Sequence, residues 1–193
     1  MTKRVSVSIA KWLEKNRVIN SDEIDVYTYA AFNILHTATP LLFTIVIGIL
    51  MNLVLESILV IVPFVLLRKY TGGYHATTPL RCALLSAVLL SLLLAIIKAT
   101  MAFSLWLSCL LIVSETILFI FSPVDPQKRH LDAYEKRLCF VRSKQILIIL
   151  DIVIVTLVCN QKQVASISIS FGVILCALAQ IPVIILNFRK RVM

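Results

Sequence analysis

The chain has 193 residues, of which 60% are hydrophobic and only 15% charged, against about 25% charged in an ordinary soluble domain. So few charges cannot clothe a soluble globule, and the apolar residues fall in long blocks rather than on one helical face, which makes a lipid bilayer their solvent. The net charge of +9 does not point to nucleic acid, because Lys and Arg gather in short segments between apolar blocks, the pattern that orients a membrane protein.

The amino-terminal stretch Met1 to Asn20 is charged and amphipathic, with no apolar signal core and no small-residue cleavage site, so it is expected to stay in the cytosol. Val5, Ile9, Trp12 and Leu13 share one helical face against Lys3, Lys11, Glu14 and Lys15, the pattern of a helix lying in the membrane interface. Asn20 is placed to cap a second amphipathic helix, with Glu23 three positions on closing a capping box. Interfacial helices are therefore expected over residues 1–37 and a transmembrane bundle over 38–187, all in one integral membrane domain.

From Pro40 to Leu67 runs an apolar stretch interrupted by Asn52 and Glu56, long for one span of about 20 residues and short for two. A tight hairpin is expected, because a single span would carry Arg68-Lys69 outside, against the preference for cytosolic basic residues. Ala83 to Ile97 and Ala102 to Phe121 form a second hairpin with Lys98 at its outer turn. The polar stretch Ser122 to Lys144 then faces the cytosol. Gln145 to Cys159 and Val164 to Leu186 form a third hairpin around Asn160-Gln161-Lys162-Gln163, and Arg189-Lys190-Arg191 ends inside. The expected fold is an all-α polytopic membrane helix bundle of about six transmembrane helices preceded by amphipathic helices, with both termini cytosolic. Four longer spans are the alternative, and the first apolar block decides between them.

The island Arg68 to Cys82 holds two of the chain's four glycines. Gly72-Gly73 allows positive φ and close backbone approach, so a turn is expected there. Pro79 suits the first position of a helix capped by Thr78, which puts Cys82 in the first turn. There the helix dipole and Arg81 favour a thiolate, and free backbone N–H groups offer an oxyanion hole. His75, on the loop just before, is within reach to act as base and then acid. The plainer reading keeps its place beside this one: an interhelical turn, an interfacial histidine and a small apolar residue at the start of a span. Spacing does not choose a third residue to orient the imidazole; Asp22, Asp125 and Asp132 are candidates, while Glu56 falls at the far side. The other cysteines, Cys109, Cys139, Cys159 and Cys176, form no pair and no C-x-x-C motif, so no disulfide framework, metal or cofactor is expected, and most read as small packing residues.

The run Arg68-x4-Gly73-x-His75-x6-Cys82, preceded by an apolar hairpin and followed by a polar loop opening with Ser122-Pro123, resembles the accessory gene regulator B (AgrB) family, and the likeness extends over the whole chain. That resemblance implies a membrane cysteine endopeptidase that processes a quorum-sensing propeptide, AgrD. It implies Cys82 as nucleophile and His75 as its partner, with Arg68 and Gly73 on motif positions needed for activity. Gly72 and Arg81 would support substrate or oxyanion beside them, the catalytic loop and helix start spanning residues 68–82. The substrate implied has an amphipathic leader, a short central segment and an acidic tail that suits the basic loops, with Lys128 and Arg129 as loop candidates. Cyclisation to a thiolactone or lactone and a homodimer in membrane lipid are further implications. A transporter using Glu115 and Asp151 is a reading of another class, though no inverted repeat or broken half-helix accompanies them. A scaffold without chemistry is a third, and it predicts tolerance of Cys82→Ser.

Overall fold

Helix α7 (Gln163–Val192) lies at the centre of the molecule, buried on every side from Ser166 to Ala177 and packed against α3, α4, α5 and α6. The computed structural model describes residues 2–72, 79–100, 104–124 and 132–192; for 79–86, 188–192 and a few positions in the first two helices it describes the backbone only. Among the described residues the chain is all helical. In order come α1 (Thr2–Lys15), a 3-10 turn (Ser21–Glu23) running into α2 (Ile24–Met51), α3 (Val54–Thr71), α4 (Pro79–Ala99), α5 (Leu105–Phe121), α6 (Ala133–Cys159) and α7.

The expected first hairpin is present as α2 and α3, and its turn follows from backbone chemistry. Asn52 takes the left-handed conformation (φ 56, ψ 38), which asparagine tolerates better than most residues. Its N–H donates to Ile49 O at 3.1 Å and the Leu53 N–H to Gly48 O at 2.8 Å, the double bond of a Schellman closure. At the other end of α2, the Asn20 N–H donates to Glu23 Oε2 at 3.0 Å, as the capping-box pattern predicts.

Two expected boundaries move. The helix beginning near Asn20 and the first apolar arm are one continuous helix, α2, which runs unbroken through position 40. Helix α6 begins at Ala133 rather than near Gln145, capped by Asp132 and Glu135; the Asp132 N–H donates to Glu135 Oε2 at 3.4 Å. Half of the polar stretch expected as loop is therefore a solvated helix leading into the apolar part of α6.

The core packs leucine, isoleucine and valine side chains of α3 to α6 around α7, whose own buried face mixes aliphatic and small residues. Ser166, Ser168 and Ser170 are fully buried, and each hydroxyl donates to a carbonyl one turn back, on Gln163, Val164 and Ser166 at 2.8 Å, so none of these three hydroxyls is left open in the apolar interior. Gly172 lets α3 come close: a Cβ there would collide with the Val60 carbonyl oxygen and meet Pro63. Small residues at such a contact are the usual means of close helix approach in membranes.

The outside is as apolar as the inside. Leu42 and Leu50 on α2, Leu55 on α3, Leu105 and Ile120 on α5, and Ile148, Ile152 and Val155 on α6 are all exposed, Leu105 by 84%. A soluble chain does not keep so broad an apolar surface in water. By length and apolarity, Gln163–Asn187 is the one segment among the described residues able to cross a membrane by itself; Leu41–Met51, Ala87–Ala99 and Leu105–Phe121 are shorter apolar helices. Cys109 and Cys159, expected to pack internally, are exposed on these outer faces, whereas Cys176 is buried.

Candidate functional site

The motif run begins on the last turn of α3. Arg68 lies there with its guanidinium 5.5 Å from the Phe64 ring centroid, one turn back, and a cation in the last turn also suits the helix dipole. Thr71 is fully buried and ends the helix; Gly72 closes it, its N–H donating to Arg68 O at 3.2 Å. Gly72 has φ 73 and ψ −163, a conformation essentially confined to glycine. A Cβ on it would also collide with the Val124 carbonyl oxygen. The turn expected at Gly72-Gly73 thus has its first residue in a glycine-only geometry.

Downstream, α4 starts at Pro79, as the Pro-at-N1 pattern predicts. Arg81 and Cys82 occupy its first turn by backbone position; their side chains, like Gly73, His75, Asp125, Lys128 and Arg129 as a whole, lie outside the described residues. Asp132 caps α6 and Asp22 lies in the 3-10 turn before α2. Glu56 lies in the first turn of α3, at the opposite end from Arg68.

Directly beneath the point where the motif leaves α3 is a buried polar node that the motif reading did not contain. The Val124 N–H donates to Thr71 O at 3.0 Å, so the chain just past α3 and the chain just past α5 lie side by side. Gln180 on α7, fully buried, donates from its amide nitrogen to Thr71 O and to Ser122 Oγ, both at 3.1 Å. Ser122 is itself buried and precedes Pro123 through a cis bond. The Thr71 Oγ1 and Cys176 Sγ stand 3.4 Å apart. The end of α3, the end of α5 and the middle of α7 are thereby tied at one level. Its one sequence signal was a lone glutamine in the apolar run from Phe171 to Ile185, a polar group that needs partners in such surroundings.

Elsewhere, Lys144 on α6 holds its ammonium 3.7 Å from the Phe119 ring centroid and 3.6 Å from that of Phe140. Its charge remains at the edge of the apolar zone while its stem lies along it. Partial burial, helped by Glu135, pushes the Cys139 thiol up, which makes it a poor nucleophile at neutral pH. Glu115 on α5 and Asp151 on α6 face one another, and Glu115 Oε1 is buried without a partner. No group of His, Cys, Asp and Glu suited to a metal ion occurs among the described residues.

The family model described as Accessory gene regulator B matches residues 6–181. The chain is 23% identical over 144 residues to "Putative AgrB-like protein 2" of Clostridium perfringens (strain 13 / Type A), covering 71% of this chain and 67% of that protein. It is 20% identical over 144 residues to "Putative AgrB-like protein" of Clostridium perfringens (strain SM101 / Type A), with the same shares covered. No solved structure matches.

Proposed function

The chain belongs to the accessory gene regulator B family, a family of membrane proteins, and on that premise we propose that it is a cysteine endopeptidase processing an AgrD-like propeptide at the cytosolic face of the membrane. Cys82 is the nucleophile and His75 its base. His75 takes the Cys82 proton, the thiolate attacks the carbonyl at the boundary between signal segment and acidic tail, and the C–N bond breaks as the imidazolium returns the proton to the leaving amine. The tail departs with a free amino terminus, leaving a thioester on Cys82. A thiol or hydroxyl within the peptide then attacks that thioester, giving up its proton as Cys82 leaves, and a thiolactone or lactone forms on the leader. Backbone N–H groups at the start of α4 hold the oxyanion.

The observation that carries this reading is the start of α4 at Pro79, within a chain matched almost end to end by the family model. It sets the backbone of Cys82 where N–H groups without helical partners and the positive end of the dipole favour an ionised sulfur. The contact between Val124 and Thr71 further supports a single mouth for residues 73–78 and the loop bearing Lys128 and Arg129, so that chemistry and tail recognition share one vestibule. Arg68, Gly72, Gly73 and Arg81 support the substrate or the oxyanion. In the membrane, α2 to α7 are six spans with both termini cytosolic, and the working unit is a homodimer.

The test is tail release from a propeptide with an amphipathic leader, a central Cys or Ser and an acidic tail, incubated with the purified chain in lipid discs. The native chain releases the tail; Cys82→Ala and His75→Ala do not. Asp151→Asn retains release, whereas a transporter working through Glu115 and Asp151 would lose its function there and tolerate Cys82→Ala. Tail release by folded Cys82→Ala sinks the proposal.

A further inference from the structure

Gln180 is an expensive residue where it stands. It is fully buried in an apolar helix, and its carbonyl oxygen Oε1 has no hydrogen-bond partner; leucine would remove that burden. What the amide supplies is connection. Both of its hydrogens are used, one on the final carbonyl of α3 at Thr71 and one on Ser122 at the end of α5, each at 3.1 Å. The orientation is settled by chemistry, since Thr71 O can only accept, and turning the amide over would set two oxygens against each other. Thr71 O also accepts from Val124 at 3.0 Å, so one carbonyl joins α3, the segment after α5 and α7. The next residue after this carbonyl is Gly72, whose conformation aims the chain into the segment carrying His75.

We propose that Gln180 is a positioning residue for the catalytic pair: by fixing Thr71 O and Ser122 Oγ against α7, it holds the end of α3 and Gly72 in the one orientation from which the chain continues toward His75. The proposal rests on the endopeptidase reading. It does not make Gln180 catalytic: the amide hydrogens are taken by Thr71 O and Ser122 Oγ. Its effect runs through geometry, and reactions between positioned groups are steep in distance: a displacement of about 1 Å costs on the order of a hundredfold in rate. A purely structural amide would instead change how much protein folds and leave each folded molecule as active as before.

The experiment compares the native full-length chain, Gln180→Met, Ser122→Ala and Cys82→Ala in lipid discs. Met keeps the length and bulk of Gln without the amide; Ser122→Ala removes one of the two anchors with almost no change in volume, and keeps the test decisive should Gln180→Met not fold. Three quantities are read: kcat and KM for tail release per folded molecule, the melting temperature, and the rate of Cys82 alkylation by iodoacetamide against pH. In Gln180→Met, kcat falls about ten- to a hundredfold with KM within about twofold, and the alkylation profile moves to higher pH as the thiol loses its imidazole partner. Ser122→Ala moves the same way by a smaller factor. Native kcat and an unmoved alkylation profile in the folded variants, whatever their melting temperatures, overturn the assignment of Gln180 while Cys82→Ala stays inactive. Tail release by Cys82→Ala overturns the endopeptidase reading itself, and the role of Gln180 with it.

Discussion

Gly72 shows how much one residue decides at the mouth of the bundle. Its φ of 73 with ψ −163 lies in a region where a side chain costs on the order of 1–3 kcal/mol, and the space for a Cβ is already taken by the Val124 carbonyl oxygen. Gly72→Ala is therefore expected to lower stability by at least that amount, seen as a lower melting temperature of the purified chain; an unaltered melting temperature would contradict the geometry. The need for glycine at position 72 was legible in the sequence as an expected turn. The partner that makes the first glycine obligatory was not, because Val124 is distant in sequence and reaches residue 72 only when α3 and α5 end at one level. Gln180 and Ser122 were missed for the same reason: hydrogen bonds between positions 58 and 109 apart leave no local pattern.

At the level of elements, three helices end alike, with Arg17, Asn52 and Gln161 at positive φ. After α1 the Val18 N–H donates to Leu13 O at 3.0 Å, and after α6 the Lys162 N–H to Leu157 O at 2.9 Å, repeating the closure seen after Met51. Glycine is the usual residue at this place. Its absence here means that these ends were readable only from where apolar runs stop. The starts were clearer. Asn20 with Glu23, and Pro79, were recognised as helix starts, whereas Asp132 with Glu135 carries the same capping signature inside a stretch that charge density assigned to a loop. The α3–α7 contact makes a quantitative claim. A methyl at position 172 has no room beside Val60 and Pro63, and overpacking a close contact costs about 1–3 kcal/mol. Gly172→Ala should lower the melting temperature and reduce the yield of folded protein in detergent; a neutral result would mean that α3 and α7 do not approach this closely.

At the scale of the whole molecule, helix lengths and charge agree on a layout. The 18 residues of α3 and 17 of α5 span about 27 and 25 Å, near the roughly 30 Å of a bilayer core. The 27 residues of α6 and 30 of α7 extend well beyond that, about 40 and 45 Å, and their overhanging parts carry Lys136, Arg137, Arg142, Arg189, Lys190 and Arg191. Six spans put Glu56, Lys98 and Lys162 on the opposite side. In a cysteine-free background, Glu56→Cys, Lys98→Cys and Lys162→Cys should react with an impermeant thiol reagent added outside intact cells, while Lys136→Cys should not. Protection of Glu56→Cys with labelling of the other two would instead leave the first hairpin short of crossing and favour four spans.

The sequence by itself determined the solvent, the helical class, the first hairpin, the start of α4 at Pro79 and the motif that signals the family, because each rests on composition, on the run lengths of apolar residues or on a signature within a few positions. Only the tertiary structure decided that α2 is one helix through position 40, that α7 is the central helix, and that Thr71, Ser122, Val124 and Gln180 form one node beneath the motif. The physical reason is common to all three. In a chain this apolar, one hydrophobic helix face looks like another, and whether it meets lipid or protein is settled by small residues and scattered polar groups that find their partners only across the packed bundle.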